Sequence, residues 1–346
     1  MHTDLREPLE AAWKRNTPFV FFRLPNTADI HCYWQEDNTL HTTTDFDFDG
    51  FLFAPFVAQS NNNYIPNTFN KTYSFQGTTN FAPPLTEFEE KEAARTAFIQ
   101  LVEKAKITIA EGSLEKVVVS RKITIASEQT PIRAFEGLLK RYSNAMVYFF
   151  HHPKIGTWMG ASPEHLIAQE EQLTRTMALA ATQSYDPQNE VVWDAKEREE
   201  QGLVTAQLKA DLEKFFPPEA IEVSKTQNHS AGKLVHLCTH FKVHQQTSKL
   251  MDLVQCLHPT PAVGGVPKAA ALDFLARHET YDREFYTGFM GPKNGNALDW
   301  FVNLRCAQWK PEAVLVYVGA GITAASNAEK EWEETQRKAQ TLLVVL

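Results

Sequence analysis

Cysteine is scarce in this sequence, and its placement argues against two kinds of site. The four cysteines (Cys32, Cys238, Cys256 and Cys306) are widely separated and form no Cys-x-x-Cys pair. Such scattering is typical neither of a disulfide framework nor of a zinc site, and it fits a reducing cytoplasm. The sequence therefore predicts no disulfide scaffold and no His/Cys metal cluster.

Positive charge is also in short supply. The 346-residue chain has 34 lysines and arginines against 42 aspartates and glutamates, which gives a net charge of -8 at pH 7. No basic run stands out along the chain. We therefore predict neither nucleic acid nor an anionic membrane as a partner.

Long apolar runs are missing as well. No segment has the roughly 20 consecutive apolar residues that a membrane-spanning helix needs. The first residues, MHTDLREPLEAAWKRN, are charged and lack the apolar core of a signal peptide. We therefore expect a cytoplasmic protein.

A dinucleotide-binding site is excluded by the short length of chain after an apparent fingerprint. Gly319-x-Gly321-x-x-Ala324 comes directly after the apolar run VLVYV, as in the G-x-G-x-x-A motif. The residues after Ala324 suffice for little more than one helix, so a second parallel strand with its acidic end has no room. The glycines still allow backbone N–H groups to approach an anion.

Apolar residues, in contrast, are plentiful at 43% of the chain, enough for a large core. Residues 1–85 are rich in Phe, Asn and Thr and are predicted to form short strands and loops. The turn-rich segment FAPPLT (81–86) then precedes a long helix predicted over 87–110. Nearer the C-terminus, pairs of strands alternate with helices predicted at 193–216, 268–278 and the end of the chain. This order favours an α+β domain with largely antiparallel sheets.

Two glutamate pairs with i, i+3 spacing lie on two of these helices. Glu197 and Glu200 share a helix face with apolar residues, and Glu331 and Glu334 share a stripe with Lys338. Buried carboxylates need a cation or strong hydrogen-bond donors. The pattern leaves open surface glutamates, a buried salt bridge with Lys or Arg, or a site for a hard divalent cation such as Mg²⁺.

Eight segments in a fixed order identify a family resemblance. They are EKVVVSR, GASPEHLI, KEREEQGLV, LHPTPAVGGVP, YDREFYTGFMG, VNLRC, VGAGI and EWEETQRKAQTL, all between about residues 90 and 346. The series resembles the chorismate-utilising enzymes. These include isochorismate synthases, salicylate synthases, and the large subunits of anthranilate and aminodeoxychorismate synthases.

The resemblance implies a fold, a cofactor and a substrate. It implies a single large α+β domain of two packed antiparallel β-sheets flanked by helices, with residues 1–85 as the strand-rich N-terminal part and 86–346 as the catalytic region. It also implies Mg²⁺ and chorismate. By motif matching, Glu200 and Glu334 would bind the metal, while Glu197 and Glu331 would hold its water molecules.

Lys116 selects a branch within the family. The water-using enzymes resemble this chain in having Lys at this position, where the ammonia-using enzymes usually carry Gln. A lysine held near cations and away from water has a lowered pKa and can act as a general base. Glu164 in GASPEHLI matches the family's general acid. The resemblance thus implies an isomerase, an isochorismate synthase that works without a glutaminase subunit and feeds menaquinone or siderophore synthesis.

A dicarboxylate substrate needs further anion-binding groups. Arg305 in VNLRC suits the enolpyruvyl carboxylate, since a guanidinium group meets a carboxylate with two hydrogen bonds. Lys338 and the Gly319 backbone are expected to assist. His236 matches a pocket histidine of the family, and Thr182 stands in the family's P-L-A-G-T segment, which reads ALAAT here.

Three departures from the family pattern bear on the site. Ala181 replaces the glycine of P-L-A-G-T and is expected to narrow the site beside Thr182. Gln201 replaces the histidine after the metal glutamate, and Glu284 replaces the glycine of R-G-F-Y. Three alternatives to isochorismate synthase stay open. They are a salicylate synthase, an anthranilate or aminodeoxychorismate synthase subunit, and a non-catalytic chorismate-binding protein.

Overall fold

A computed structural model describes residues 5–57, 62–75, 77, 88, 90–127, 129–185, 188–232, 234–245, 247 and 249–346. Its helices are α1 (Arg6–Arg15), α2 (Glu92–Ala110), α3 (Pro131–Arg141), α4 (Ala195–Leu212), α5 (Leu250–Leu257), α6 (Lys268–His278) and α7 (Ala328–Leu343), with a 3₁₀ turn at Pro218–Ala220. None of these helices is both long and apolar enough to cross a membrane.

The strands of the described residues form two large sheets. In chain order they are β1 (Phe19–Arg23), β2 (Asp29–Trp34), β3 (His41–Thr43), β4 (Gly50–Ala54), β5 (Asn62–Pro66), β6 (Phe69–Ser74), β7 (Lys116–Ile125), β8 (Met146–His152), β9 (Gly156–Ser162), β10 (His165–Glu170), β11 (Leu173–Ser184), β12 (Ile221–Val223), β13 (Gln227–Ala231), β14 (Leu234–Val243), β15 (Gly265–Val266), β16 (Phe289–Asn294), β17 (Ala297–Val302), β18 (Cys306–Trp309) and β19 (Val314–Ile322).

Strand order places distant parts of the chain side by side. The first sheet runs β15-β7-β19-β18-β9-β8-β1-β2-β6, and the second runs β12-β14-β11-β10-β17-β16-β4-β5-β3, with β13 paired to β14. Every pairing among the described strands is antiparallel. The prediction of two antiparallel sheets with helices around them is confirmed.

The core lies between the sheets and again between the first sheet and the helices. Strand β1, FVFFR, shows both layers, since successive side chains point to opposite faces. Val20 and Phe22 pack in the layer between the sheets, with residues such as Phe53 of the second sheet. Phe19 and Phe21 pack on the other side with the helices α1 and α3. The first sheet is therefore covered on both faces in this region.

Helices α4 and α7 bring the glutamate pairs to the sheets. Helix α4 begins with a capping box, in which the Asp194 side chain accepts from the Glu197 backbone N–H and the Glu197 carboxylate accepts from the Asp194 backbone N–H. It packs on β11 and β14, while α7 packs on β19 and α2. Each helix thus presents one face toward the region between the two sheets.

Several helix predictions need correction. The helix predicted over 87–110 begins at Glu92, because the backbone of Lys91 before it is extended, with φ of −64° and ψ of 134°. The segment FAPPLT lies outside the described residues. Helices α1, α3 and α5 were not predicted. The predicted helix at 193–216 is confirmed in shorter form, from Ala195 to Leu212.

Candidate active site

A pocket opens where the two sheets, α4 and α7 meet. The space inside it, with the open mouth included, amounts to about 480 Å³. It is lined by Val118, Glu164, Leu179, Ala180, Ala181, Thr182, Glu200, His236, Ala262, Val263, Tyr286, Leu304, Arg305, Gly319, Gly321, Glu334 and Lys338. Eight of the eleven predicted site residues are among them; Lys116, Glu197 and Glu331 are not.

Gly321 creates the space for Glu200 beside the strand β19. A Cβ atom at Gly321 would lie 2.2 Å from Glu200 Oε1 and 3.1 Å from Lys116 Cε, so no larger residue fits without displacing both. The glycines that mimic a dinucleotide fingerprint lie within an antiparallel strand. Gly321 instead allows a buried carboxylate to approach the sheet.

Lys116 lies directly behind Glu200. Its fully buried Nζ is 3.1 Å from Glu200 Oε1. The distance is that of an ion pair, but Nζ makes no well-oriented hydrogen bond to any described residue. The ion pair with Glu200, which does line the pocket, is therefore the polar contact that positions Lys116.

Lys196 joins two of the predicted carboxylates. Its Nζ lies 3.4 Å from Glu200 Oε2 and 3.0 Å from Glu331 Oε1. Burial disfavours the ionised form of Glu200, yet Lys116 and Lys196 outweigh burial and lower the pKa of Glu200 to about 2. Glu200 is thus an anion at any physiological pH.

Helix α7 has two charged stripes that differ in burial. The inner stripe of Glu331, Glu334 and Lys338 is largely buried, whereas the outer stripe of Glu333 and Arg337 is more exposed. Lys338 Nζ lies 2.6 Å from Glu334 Oε1 and donates to the Gly319 carbonyl oxygen at 2.9 Å. Glu333 and Arg337 form a surface pair at 3.8 Å. Burial and the neighbouring Glu334 raise the pKa of Glu331 to about 7.

Glu164 is a buried carboxyl group with few partners. It lies after β9, at 2% exposure, and the Thr260 hydroxyl donates to its Oε1 at 3.3 Å. Burial raises the pKa of Glu164 to about 7, although the Thr260 hydroxyl and the Lys116 ammonium act in the opposite direction. The group is therefore partly protonated near neutral pH, which suits a general acid.

Arg305, His236 and Thr182 form a second polar group in the pocket. The Arg305 guanidinium donates from Nη2 to His236 Nε2 at 3.3 Å, and His236 Nδ1 donates to the Ala181 carbonyl oxygen at 2.9 Å. Thr182 Oγ1 lies 3.2 Å from the same Nδ1. Burial and the Arg305 charge lower the pKa of His236 well below its usual range, so the imidazole is neutral and helps to orient Arg305.

Glu197 points away from the other carboxylates. Besides capping α4, its two carboxylate oxygens each lie 2.8 Å from Gln183 Nε2. The side chain is half-buried and does not line the pocket. Its predicted contact with metal-bound water stays a prediction.

The three departures from the family pattern are each accommodated. Ala181 and Glu284 keep left-handed backbone conformations, with φ of 57° and 50°, at positions where glycine is usual. The Gln201 amide donates to the Ala178 carbonyl oxygen at 3.1 Å and reaches Thr239. The Ala181 methyl group lies in the pocket wall, and Thr182 beside it still faces His236.

The sequence predictions missed two partners of the predicted residues. Lys196 stands four residues before Glu200 on α4, a spacing that could have shown their contact. Thr260 reaches Glu164 across 96 positions, and no local pattern predicts such a contact. His258, in the same segment as Thr260, contacts the Phe56 carbonyl oxygen at 2.9 Å. Ala262 and Val263 of this segment line the pocket.

The donor set fits a hard divalent cation. Glu200 and Glu334 face the pocket from two helices, and Mg²⁺ is usually held by one or two carboxylates with water molecules. The raised pKa of Glu331 reflects burial and excess negative charge that a cation would relieve. The three carboxylates do not form one compact cluster, because the ammonium of Lys196 lies between two of them. Two carboxylates with bound water therefore fit better than three.

Fold and pocket together define a two-sheet domain in which cationic side chains (Arg305, Lys338) and acidic ones (Glu164, Glu200, Glu334) line one pocket. The sequence matches the chorismate binding enzyme model over residues 57–346. The chain belongs to this family, as the resemblance in its motifs predicts.

Named relatives share most of the chain. Isochorismate synthase MenF of Escherichia coli (strain K12) is 32% identical over 280 residues, covering 75% of this chain and 62% of that protein. Isochorismate synthase EntC of the same strain is 34% identical over 267 residues, covering 72% and 67%. This chain thus spans about two thirds of the length of these relatives.

A solved structure supports the fold independently. The structure of MenF, the menaquinone-specific isochorismate synthase from Escherichia coli, superposes with a TM-score of 0.80 at 23% identity. The match covers 94% of this chain and 88% of that one. The likeness in fold therefore extends into the strand-rich N-terminal part of the chain.

Proposed function

We propose that this protein is an isochorismate synthase, which isomerises chorismate by water attack at C2 and loss of the C4 hydroxyl group. The observation that carries the proposal is a buried, partly protonated Glu164 that lines the same pocket as Glu200, the ion-pair partner of Lys116. The names of the relatives at 32% and 34% identity support it. We also infer that the protein acts in the cytoplasm and without a glutaminase subunit.

Glu164 is the proposed general acid. Its proton would pass to the departing C4 oxygen, so that the leaving group departs as water rather than hydroxide. The Thr260 hydroxyl fixes the position of the carboxyl group. Burial keeps a substantial fraction of Glu164 protonated near pH 7. Positioned acids of this kind contribute about 10²- to 10⁴-fold to a rate.

Lys116 is the proposed general base for the attacking water. It lies behind Glu200 and Gly321, with no well-oriented hydrogen bond to a described residue. In its neutral amine form, the lysine would take one proton from water as the water oxygen bonds to C2. One water molecule enters and one leaves, so the product is an isomer of the substrate. The entering nucleophile is thus water, whereas it is ammonia in the amine-forming branch.

The two carboxylates of chorismate need cationic partners, and two cationic side chains, Arg305 and Lys338, line the pocket. Arg305, oriented by the neutral His236, would bind the enolpyruvyl carboxylate with help from Thr182. Lys338, anchored on the Gly319 carbonyl oxygen, adds positive charge near Glu334. Burial strengthens each of these interactions because water is excluded.

Mg²⁺ is the proposed cofactor, held by Glu200 and Glu334. When bound, it would supply positive charge for the ring carboxylate of chorismate. Lys196, which lies between Glu200 and Glu331, would offset part of their negative charge. Glu331 and Glu197 are proposed to hold water molecules bound to the metal. The chain's carboxylates thus orient one end of the substrate, and Arg305 orients the other.

The test is a product assay with the purified protein. Chorismate and Mg²⁺ are incubated with and without ammonium, and products are separated by chromatography. We expect isochorismate alone, with formation abolished by EDTA. Salicylate with pyruvate would assign the protein to the lyase branch, and an amine formed only with ammonium would overturn the role of Lys116.

The variant Lys116→Gln sharpens this test, because Gln is usual in the ammonia-using branch. We expect a loss of isochorismate formation of about 100-fold or more. The matched control is Lys122→Gln, which changes an exposed lysine on the same strand and should leave turnover unchanged. Near-normal turnover of Lys116→Gln would exclude Lys116 as the base.

A further inference from the structure

A second group of metal-ligating side chains lies outside the carboxylate pair. The potential donor atoms of His229, Cys238 and His240 all lie within 4.8 Å of one another. Cys238 Sγ and His240 Nε2 are 3.5 Å apart. We refer to these three residues as the His-Cys-His cluster. Sequence spacing did not predict it, because the ligands are contributed by two strands.

The hairpin of β13 and β14 builds the cluster. In β14, His236, Cys238 and His240 alternate along one face of the strand. His229 on β13 pairs directly with His236, so it shares that face. Antiparallel register thereby brings a histidine of one strand next to the Cys-x-His pair of the other. The geometry depends on the strand pairing and not on a flexible loop.

His229 Nε2 gives an independent indication of a ligand. This atom is buried and has no hydrogen-bond partner among the described residues. Buried polar atoms without partners are uncommon in native proteins, and each one needs an explanation. A bound metal ion would provide the missing partner.

Donor chemistry selects the class of ion. One thiol and two imidazoles suit zinc and neighbouring first-row transition ions, whereas Mg²⁺ prefers oxygen. A tetrahedral zinc ion with ordinary bond lengths holds such donors about 3.4–3.6 Å apart. The Cys238–His240 pair already has this separation, and the longest separation needs a closure of about 1 Å. Three ligands would leave a fourth position open to water.

We propose that the His-Cys-His cluster is a binding site for a zinc-class transition-metal ion, separate from the Mg²⁺ site. The site adjoins the active pocket, since Cys238 packs on Leu179, which lines the pocket. The same strand face carries His236 of the pocket. An ion at the cluster therefore lies close to a proposed substrate-binding residue.

The experiment uses Co²⁺ as the probe on the full-length protein in the presence of excess Mg²⁺. We expect one equivalent of Co²⁺ to give a thiolate-to-cobalt charge-transfer absorption and the intense visible bands of tetrahedral coordination. Zn²⁺ should displace it with the same stoichiometry in calorimetry. Both signals report binding directly and do not depend on turnover.

Variants identify the ligands. Cys238→Ser should abolish the charge-transfer band, and His240→Gln should weaken Co²⁺ binding by at least about tenfold, since even outer-shell changes have such effects. Matched controls are Cys256→Ser and His244→Gln, which change a cysteine and a histidine outside the cluster and should leave both signals intact. Glu334→Gln should also leave them intact, because it changes the carboxylate site alone.

Two results would overturn the proposal. One is a visible spectrum of octahedral type with no charge-transfer band in the wild-type protein. The other is a charge-transfer band that survives Cys238→Ser and disappears in Cys256→Ser. Circular dichroism of each variant establishes that it is folded. If Cys238→Ser disturbs the sheet, His240→Gln still tests whether the His-Cys-His cluster binds the metal ion.

Discussion

The proposed role of Glu164 as a general acid comes with a cost in the stability of the folded protein. Its pKa is raised from 4.5 to about 7 by burial, so the folded protein binds more protons than the unfolded chain between these two values. Stability therefore falls as the pH rises from about 4.5 to about 7 and then levels off. The protonated form that the proposed general acid requires is lost over the same upper part of the range.

We expect kcat/KM for isochorismate formation to fall above a pH of about 7, and Glu164→Gln to lower turnover by about 100-fold or more. The same variant should be more stable than wild type at about pH 8, by up to about 3 kcal/mol, because it carries no buried anion. Denaturant unfolding at about pH 5 and about pH 8 measures this difference. A variant that is equally destabilised at both pH values would contradict the assigned pKa.

Ala181 is strained where it stands. Its φ of 57° lies in the left-handed region, which disfavours a residue with a Cβ atom. We expect Ala181→Gly to stabilise the protein by about 0.5–1 kcal/mol despite the greater freedom of glycine in the unfolded chain. Ala180→Gly is the matched control and should destabilise, since Ala180 lies in the same strand without a left-handed conformation. Chemical denaturation compares the two.

At the scale of residues, the sequence could predict which residues belong to the candidate site better than it could predict the contacts between them. Helical spacing predicted an inward face for Glu197 and Glu200, because the period of a helix is local information, and Glu200 is buried while Glu197 is half-buried. For Glu331 and Glu334, spacing left burial open, and only the family resemblance implied that they face the site. The Thr260–Glu164 contact and the His-Cys-His cluster depend on strand register across the fold. Register is set by tertiary packing, which a single sequence does not display.

Helix α7 carries two pairs of oppositely charged residues, one on its buried stripe and one on its exposed stripe. Its inner stripe carries Glu334 and Lys338, and its outer stripe carries Glu333 and Arg337. Each pair has the same spacing and the same charges, but the two differ in burial. The helix therefore provides its own internal control for the metal proposal.

We expect Glu334→Ala to lose Mg²⁺-dependent chorismate binding, whereas Glu333→Ala should keep it. Glu334 faces the pocket, and Glu333 is exposed. Exposed helix pairs contribute only about 0.3–0.5 kcal/mol, so the control should also fold normally. Calorimetric titration with Mg²⁺ and chorismate measures both. Identical titration curves for the two variants would refute the metal site.

Long elements were easier to predict than short ones. The β-branched run of β7 and the long helices α2, α4 and α7 are expected from local pattern, and the 11-residue α6 is the one short helix that was also predicted. Helices α1, α3 and α5 are short, at 10, 11 and 8 residues, and such helices depend on tertiary packing for their stability. Their local signals, such as the Thr130 cap before Pro131, are weak without that packing.

The N-terminal part is built into both sheets. Strands β1, β2 and β6 belong to the first sheet, while β3, β4 and β5 belong to the second. Arg23 on β1 also donates from its buried guanidinium to the carbonyl oxygens of Leu139 and Tyr142 at the end of α3. These contacts support the prediction that residues 1–85 and 86–346 form one domain.

We therefore expect one cooperative unfolding transition for the whole chain. A fragment of residues 86–346 should fail to fold, because it would expose β8 and β16, the partners of β1 and β4. Circular dichroism and intrinsic fluorescence should give coincident transitions for the full chain. A soluble, cooperatively folding 86–346 fragment would contradict this interpretation.

The pairing of β4 with β16 has a consequence for synthesis in the cell. Phe53 lies opposite Met290, so its partner strand is made long after it. At about 5–20 residues per second, the ribosome takes roughly 10–50 s to cover that interval. During this time the wholly apolar segment FLFA has no partner on that edge. Production of this protein should therefore depend on chaperones that cover nascent chains, more than its finished surface suggests.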